Sequence, residues 1–499
     1  MKTHLLRKTS FAALVAGLIA SSATSALADK ILRLANDLSY GGSESLDPIS
    51  PNRFYEVNDL LYDRLIRQGP NGTPVPDLAL DWSSNDEATE WTLHLRPGVK
   101  FHDGSDFDAT DVKYSLERIN DPALESPVAA VLGIIDTVEV VDPLTVVIKL
   151  SSPHSGIPLL LYDYRVRMIA DGSGDSIEET GNGTGPFMIK SYDPESTTEL
   201  VANPDYWDGA PMLDGITFNA IPDSEARNQA MMAGLIDMNS LTRDQEPLYR
   251  DNPGFVLQQF PTGGWFGIVF ITDEAPYDDP RVRKALRIAA DRQEMMELLV
   301  GAGNAQLTCD SPVRFDDPYR AHLDCPQDIE GAKALLAEAG YPDGIDVDVY
   351  TSDLEPGMVS FLEVYQQQVA EAGIRVNMRI APSDGYWDDI WWYKNCVTSW
   401  GERPADQFLN EAYRTDADWN ESHFANATYD DLLDHARMTL DTEKAREFYV
   451  AAQEILFEEG GTFIPYQEDG RRVLASRVSG IPAAESDYIE WNKVDIAEN

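Results

Sequence analysis

Between residues 386 and 400 the chain sets Tyr386, Trp387, Trp391, Trp392, Tyr393 and Trp400 in one short stretch. Aromatic rings offer large contact area at low entropic cost and suit sugar faces, cations and apolar groups. The stretch runs into Gly401-Glu402-Arg403-Pro404-Ala405-Asp406, a polar, turn-like segment of the sort that lines sites. Arg403 could hold a carboxylate or phosphate through two parallel hydrogen bonds, or pair internally with Glu402 or Asp406. A second aromatic pair, Trp265 and Phe266, follows Pro261-Thr262-Gly263-Gly264, which interrupts the pattern of strands and helices. Tyr40 lies in the loop after the first strand. The expected ligand contacts are Trp400, Arg403 and Asp406, with Trp265, Phe266, Trp387 and Tyr40. Trp387 and Trp391 are four apart and share a face if the segment is helical. Packing of helix on sheet is therefore the competing reading for Trp387, Trp391 and Trp392.

Bond-making chemistry has no such concentration. The chain carries no Gly-x-x-x-x-Gly-Lys-Ser/Thr phosphate loop, no Gly-x-Gly-x-x-Gly after a strand, no Gly-x-Ser-x-Gly elbow and no His-Glu-x-x-His. Its seven histidines are scattered, with none at ligand spacing from another on a helix. Asp171-Gly-Ser-Gly-Asp lacks the spacing of a calcium loop and reads as a polar turn. Paired carboxylates mean little in a chain with 85 Asp and Glu. No catalytic residue, metal or cofactor is expected. A net charge of −46 repels nucleic acid and anionic lipid at long range, so neither is an expected partner.

The N-terminus has the layout of a secretion signal. Lys2, Arg7 and Lys8 precede the apolar run from Phe11 to Ala20, and Ala26-Leu27-Ala28 has the small-x-small form of a cleavage site. A mature chain beginning at Asp29 is expected, outside the cytoplasm and not embedded in the membrane. In that compartment Cys309 and Cys325, which flank a loop rich in Asp, Pro and Arg, are expected to form a disulfide, leaving Cys396 as a buried thiol.

With 499 residues, two or more lobes are needed to bury the chain. Short strands alternate with amphipathic helices. Ile31 to Ala35 and Glu90 to Leu95 read as strands, and Asp142-Pro143-Leu144 as a hairpin turn. Residues 109–119 form a helix with Val112, Leu116 and Ile119 on one face. Asp279 and Pro280 open another helix as cap and first residue. Ile345, Val347 and Val349 alternate, then Phe361, Tyr365 and Val369 share a helical face, then Ile374, Val376 and Met378 alternate. This order gives a parallel pair with a crossover helix, hence an α/β fold.

Several segments resemble the solute-binding proteins of peptide, nickel and related ABC importers, the family of dipeptide- and oligopeptide-binding proteins. They include Leu61-Tyr62-Asp63-Arg64-Leu65, Trp91 through Arg96-Pro97-Gly98-Val99-Lys100-Phe101-His102-Asp103-Gly104, and Gly183-Thr184-Gly185-Pro186-Phe187. Asn203-Pro204-Asp205-Tyr206-Trp207, Asp279-Pro280-Arg281-Val282-Arg283 and Ala337-Glu338-Ala339-Gly340-Tyr341 are further matches. The resemblance covers nearly all of the mature chain. It implies a two-lobed periplasmic-binding-protein fold, class II-like, with an extra subdomain at about 62–190. One lobe would be 29–260 plus the tail from 475, the other 261–474, with a hinge between them. It further implies a periplasmic, monomeric protein that hands a peptide or other amino-acid-derived solute to a permease. An opine, oligosaccharide or metal-chelate binder is the alternative within the family, and an exported hydrolase the alternative outside it. Peptide binders of the family place an Asp three residues after the Trp matching Trp400; here that position is Arg403. The Arg that holds a dipeptide's carboxylate has no counterpart in Thr351 to Gly357.

Overall fold

The computed structural model describes residues 29–69, 72–243, 245–355, 357–484 and 489–497. The signal sequence read in residues 1–28 lies outside them. Ile31–Asn36 turns Leu32 and Leu34 inward and pairs in parallel with Gly215–Ala220, Ile31 opposite Gly215. Thr197–Ala202 and Phe187–Ser191 extend this sheet in antiparallel fashion. Val57, Leu60 and Leu61 of the helix Tyr55–Leu61 join the same core. So do Ile489, Trp491 and Val494 near the end of the chain, which returns to the lobe where it began.

The second lobe is built on a five-stranded sheet. Its order is Ile374–Ile380, Ile345–Thr351, Cys396–Trp400, Trp265–Val269, Thr462–Phe463. The first two strands are parallel, Ile345 opposite Ile374, and the helix Met358–Val369 makes the crossover. Its face of Phe361, Tyr365 and Val369 is buried against Val347 and Val349. Loss of one such ring, as in Phe361→Ala, costs about 3–5 kcal/mol. The helix Pro280–Ile288 starts where Asp279 accepts the Arg281 N–H at 2.9 Å. A cap of this kind contributes about 1 kcal/mol.

A third, antiparallel sheet runs in the order Ala79–Ser84, Glu90–Leu95, Thr145–Leu150, Ile135–Asp142. The turn 142–144 joins its last two strands in space. The helix Ala109–Ile119 covers it with Val112, Leu116 and Ile119. Reciprocal caps fix where that helix begins: Asp108 accepts the Thr110 N–H, and Asp111 accepts the Asp108 N–H, both at 2.7 Å.

One strand belongs to both lobes. Tyr466–Ala475 pairs with Ala305–Leu307 through Tyr466 to Glu468, and with Met238–Ser240 through Arg472 to Leu474. Phe255–Pro261 lies along its other edge, Pro261 opposite Asp469. Glycine is needed here: a Cβ on Gly470 would come within 2.6 Å of the Phe260 ring. A disulfide joins Cys309 to Cys325, and buried Arg320 fills the loop between them by donating to the carbonyls of Thr308, Val313 and Ala321. Cys396 is a buried free thiol.

Candidate ligand-binding cleft

Two cavities meet at Tyr55, the first residue of the helix Tyr55–Leu61. The smaller, of about 280 Å³, lies between the lobes. Its first-lobe wall is an aromatic cluster: the Tyr164 ring meets Tyr55 edge-on at 5.2 Å, with the guanidinium groups of Arg53 and Arg165 at 4.7 and 5.3 Å. Asp163 holds Arg165 through two bonds of 2.8 and 2.6 Å. The opposite wall is the turn after Trp400. There Glu402 accepts from Arg314 at 2.7 Å, and Arg403 donates to the Glu402 carbonyl at 2.9 Å. The Arg403 guanidinium also stands 5.7 Å from the Trp400 ring and 3.5 Å from a Glu411 oxygen.

The larger cavity, of about 400 Å³, lies over the shared strand. Asp37, Glu56 and Asp59 bring acid to it, Arg227 and Arg472 bring base, and Phe218 and Phe260 bring apolar surface. Glu56 is exposed on the cavity wall, and the cavity's enclosure by protein extends to its carboxyl. That enclosure, with the Asp37 and Asp59 carboxylates nearby, pushes its pKa up to about 7. Arg472 is 6% exposed, its guanidinium 4.7 Å from the Phe260 ring. Loss of solvent lowers its pKa to about 10.

The sequence-derived contacts fall in different places. Arg403 lines the smaller cavity. Trp400 is buried, packed on Phe408 and Trp419, and donates its indole N–H to Glu421 at 2.8 Å. Glu421 also accepts from Trp391 and Thr398, but burial still raises its pKa to about 7. These tryptophans thus anchor the turn from behind. Trp265 is buried and stacks on Phe408 at 6.0 Å, and Phe266 packs on Phe361 at 6.1 Å. Tyr40, 40% exposed, sits in a turn whose N–H donates to Glu44, and lines neither cavity. Trp387 is 37% exposed and packs on Tyr386. The helical face expected for Trp387 and Trp391 does not extend, because the segment forms only the wide five-residue turn Tyr386–Ile390.

Asp406 is not brought to the cleft. It is 1% exposed, and its oxygens take bonds from Arg437 at 2.8 and 3.0 Å and from Tyr449 at 2.7 Å. His154, from the loop after the strand Thr145–Leu150, places Nε2 3.2 Å away. Burial alone would raise the Asp406 pKa; Arg437 and His154 hold it well below the usual carboxylate range. An Asp at this position is committed to joining the subdomain to the second lobe.

The family model of the bacterial extracellular solute-binding proteins, family 5 Middle, matches residues 73–420. The chain belongs to the bacterial extracellular solute-binding proteins, family 5. This solute-binding protein is 26% identical over 475 residues to the glutathione-binding protein GsiB of Shigella flexneri serotype 5b, covering 89% of this chain and 91% of that one. Its fold is similar to that of HbpA2 from Haemophilus parasuis, with a TM-score of 0.81 at 22% identity over 94% of this chain and 100% of the other. It is also similar to the unliganded open form of the periplasmic murein tripeptide-binding protein MppA, with a TM-score of 0.80 at 25% identity over 95% and 98% of the two chains. The two-lobed periplasmic-binding-protein architecture is therefore that of the family. Among the described residues no group of three or more His, Cys, Asp or Glu could hold a metal ion, and no helix is long and apolar enough to cross a membrane.

Sequence reasoning passed over Tyr55, Tyr164, Arg165, Glu56 and Arg472. Two of them left a signal. Tyr162-Asp163-Tyr164-Arg165 alternates ring and charge in a loop, and Arg471-Arg472 sets two cations directly before the apolar pair Val473-Leu474.

Proposed function

We propose that this protein is the extracytoplasmic solute-binding component of an ABC importer and that its solute is small, amino-acid-derived and amine-bearing. The observation that carries the solute class is the acid end of the larger cavity. A carboxyl whose pKa the surrounding protein raises to about 7, with the Asp37 carboxylate near it and Asp59 already paired with Arg64 and Arg167, gains most from a cation that arrives with its own charge. Aromatic surface at Tyr55 and Tyr164 supplies the contact area for the rest of the solute. A neutral oligosaccharide would leave the Asp37 and Glu56 carboxyls unmatched at a desolvation cost. Relatives named for glutathione and murein tripeptide support the amino-acid-derived class.

In this reading the signal is removed after Ala28 and the mature chain acts in the periplasm as a monomer. Lobe 1 is 29–260 with the tail from 475, lobe 2 is 261–474, and residues 62–190 form the subdomain. Closure shuts water out of both cavities, which strengthens each polar contact, and presents the permease with a changed surface. Mass spectrometry of the solute released from the purified, denatured protein identifies it. Added back at a hundredfold over its Kd, it raises stability by about 2.7 kcal/mol and is not consumed. Steady turnover of that solute, or a solute without an amine, would overturn the reading.

A further inference from the structure

We propose that Arg472 is an anion subsite in the shared strand, so that the solute must also carry a carboxylate, which docks on Nη1 of Arg472 beside the Ser240 hydroxyl. This rests on the reading of the larger cavity as the solute site. A guanidinium has five N–H groups. At Arg472 the Nε proton goes to Gln258 at 2.7 Å, and Nη2 donates to the carbonyls of Pro482 and, at 2.7 Å, Ala484. Among the described residues both Nη1 protons are without an acceptor and no carboxylate pairs with this side chain. One face of the group is covered by Phe260, so an incoming acceptor has only the Nη1 edge to approach.

The strand register places the partners. Ser240 lies directly opposite Arg472 on one neighbouring strand and Gln258 directly opposite on the other, so the three side chains stand on one face of the sheet. That face lines the cavity, as does Trp491, a buried residue whose indole N–H also lacks an acceptor. A buried cation with no counter-ion is costly unless a ligand neutralises it, and an Arg edge of two parallel N–H groups matches a carboxylate. Among the described residues no ion pair joins Asp37 or Glu56 to Arg472 across the shared cavity, and Asp59 is held by Arg64 and Arg167, which fits a solute bearing both charges.

Acetate and its neutral isostere acetamide are the probes. Melting temperature is followed as each is added at fixed ionic strength to the wild type, Arg472→Gln and Arg472→Lys. Acetate should raise the wild-type melting temperature beyond any rise in Arg472→Gln, with Arg472→Lys between, and acetamide should not discriminate. An equal acetate response in wild type and Arg472→Gln overturns the subsite. If Arg472→Gln does not fold, the acetate-over-acetamide difference in wild type against Arg472→Lys decides in the same way. For the solute released from the protein, Arg472→Gln should weaken binding about tenfold to hundredfold, the range for a bond to a charged group. A released amine that has no acid group overturns the subsite and leaves the solute-binding reading standing. Acetate protection in a protein whose released solute carries an acid group but no amine leaves the subsite standing and overturns that reading.

Discussion

The carboxylate of Asp406 and the guanidinium of Arg472 are both almost wholly buried, yet their surroundings are opposite. Asp406 is surrounded by Arg437, Tyr449 and His154, and its acceptors are used. His154 is itself fixed from its own side: its N–H donates to Ala88 at 2.8 Å, its carbonyl accepts from Trp91 at 3.1 Å, and Nδ1 accepts the Gly156 N–H at 3.0 Å. That leaves Nε2 as the ring nitrogen nearest Asp406, at 3.2 Å. Arg472 keeps an open edge on a cavity instead. Buried charge that is already paired holds two parts of the chain together, whereas buried charge left open is free to recognise a solute.

The sharpest way to break this contrast is at the paired end. Asp406→Ala leaves Arg437 and His154 facing each other unpaired, and should cost about 3–5 kcal/mol in denaturant unfolding. A loss of less than about 1 kcal/mol would mean that the cluster does not join the subdomain to the second lobe.

Glu421 is an intermediate case, paired by hydrogen bonds but not by a cation. Its pKa is raised from 4.5 to about 7 in the folded protein, so the native state binds the extra proton between those values. Stability from this group is present below pH 4.5 and is lost as pH rises through 7, by about 3 kcal/mol across the window. Melting curves across that window should show the slope, and Glu421→Gln should flatten it.

At the open end, Arg403→Ala should leave the unfolding midpoint nearly unchanged. It should weaken an anionic or zwitterionic solute by about 1.5–3 kcal/mol in a calorimetric titration. The smallest effect is at Glu56. An amine solute expels its proton, so affinity should rise with pH through about 7, by roughly 1 kcal/mol, and Glu56→Gln should remove the dependence.

Much of the fold was legible in the sequence because its signals are local. Asp279-Pro280 opened a helix, and the alternation at Ile345, Val347 and Val349 gave a strand with the expected parallel neighbour. The site was less legible. An aromatic residue declares its area but not which side of a sheet it serves, so Trp400 and Trp265 read as walls and proved to be supports. Asp406 looked available because His154 and Arg437, which take it up, come from distant segments. Cavities are made by lobes meeting, and no periodicity records that meeting.

The strand Tyr466–Ala475 is hydrogen-bonded to one lobe at its start and to the other at its end. Any swing of the lobes must therefore be absorbed as torsion in a ladder of backbone bonds rather than as slack in a tether. An emptied molecule would spring back toward one resting angle, ready for its next cargo, at a pace set by the stiffness of its own backbone.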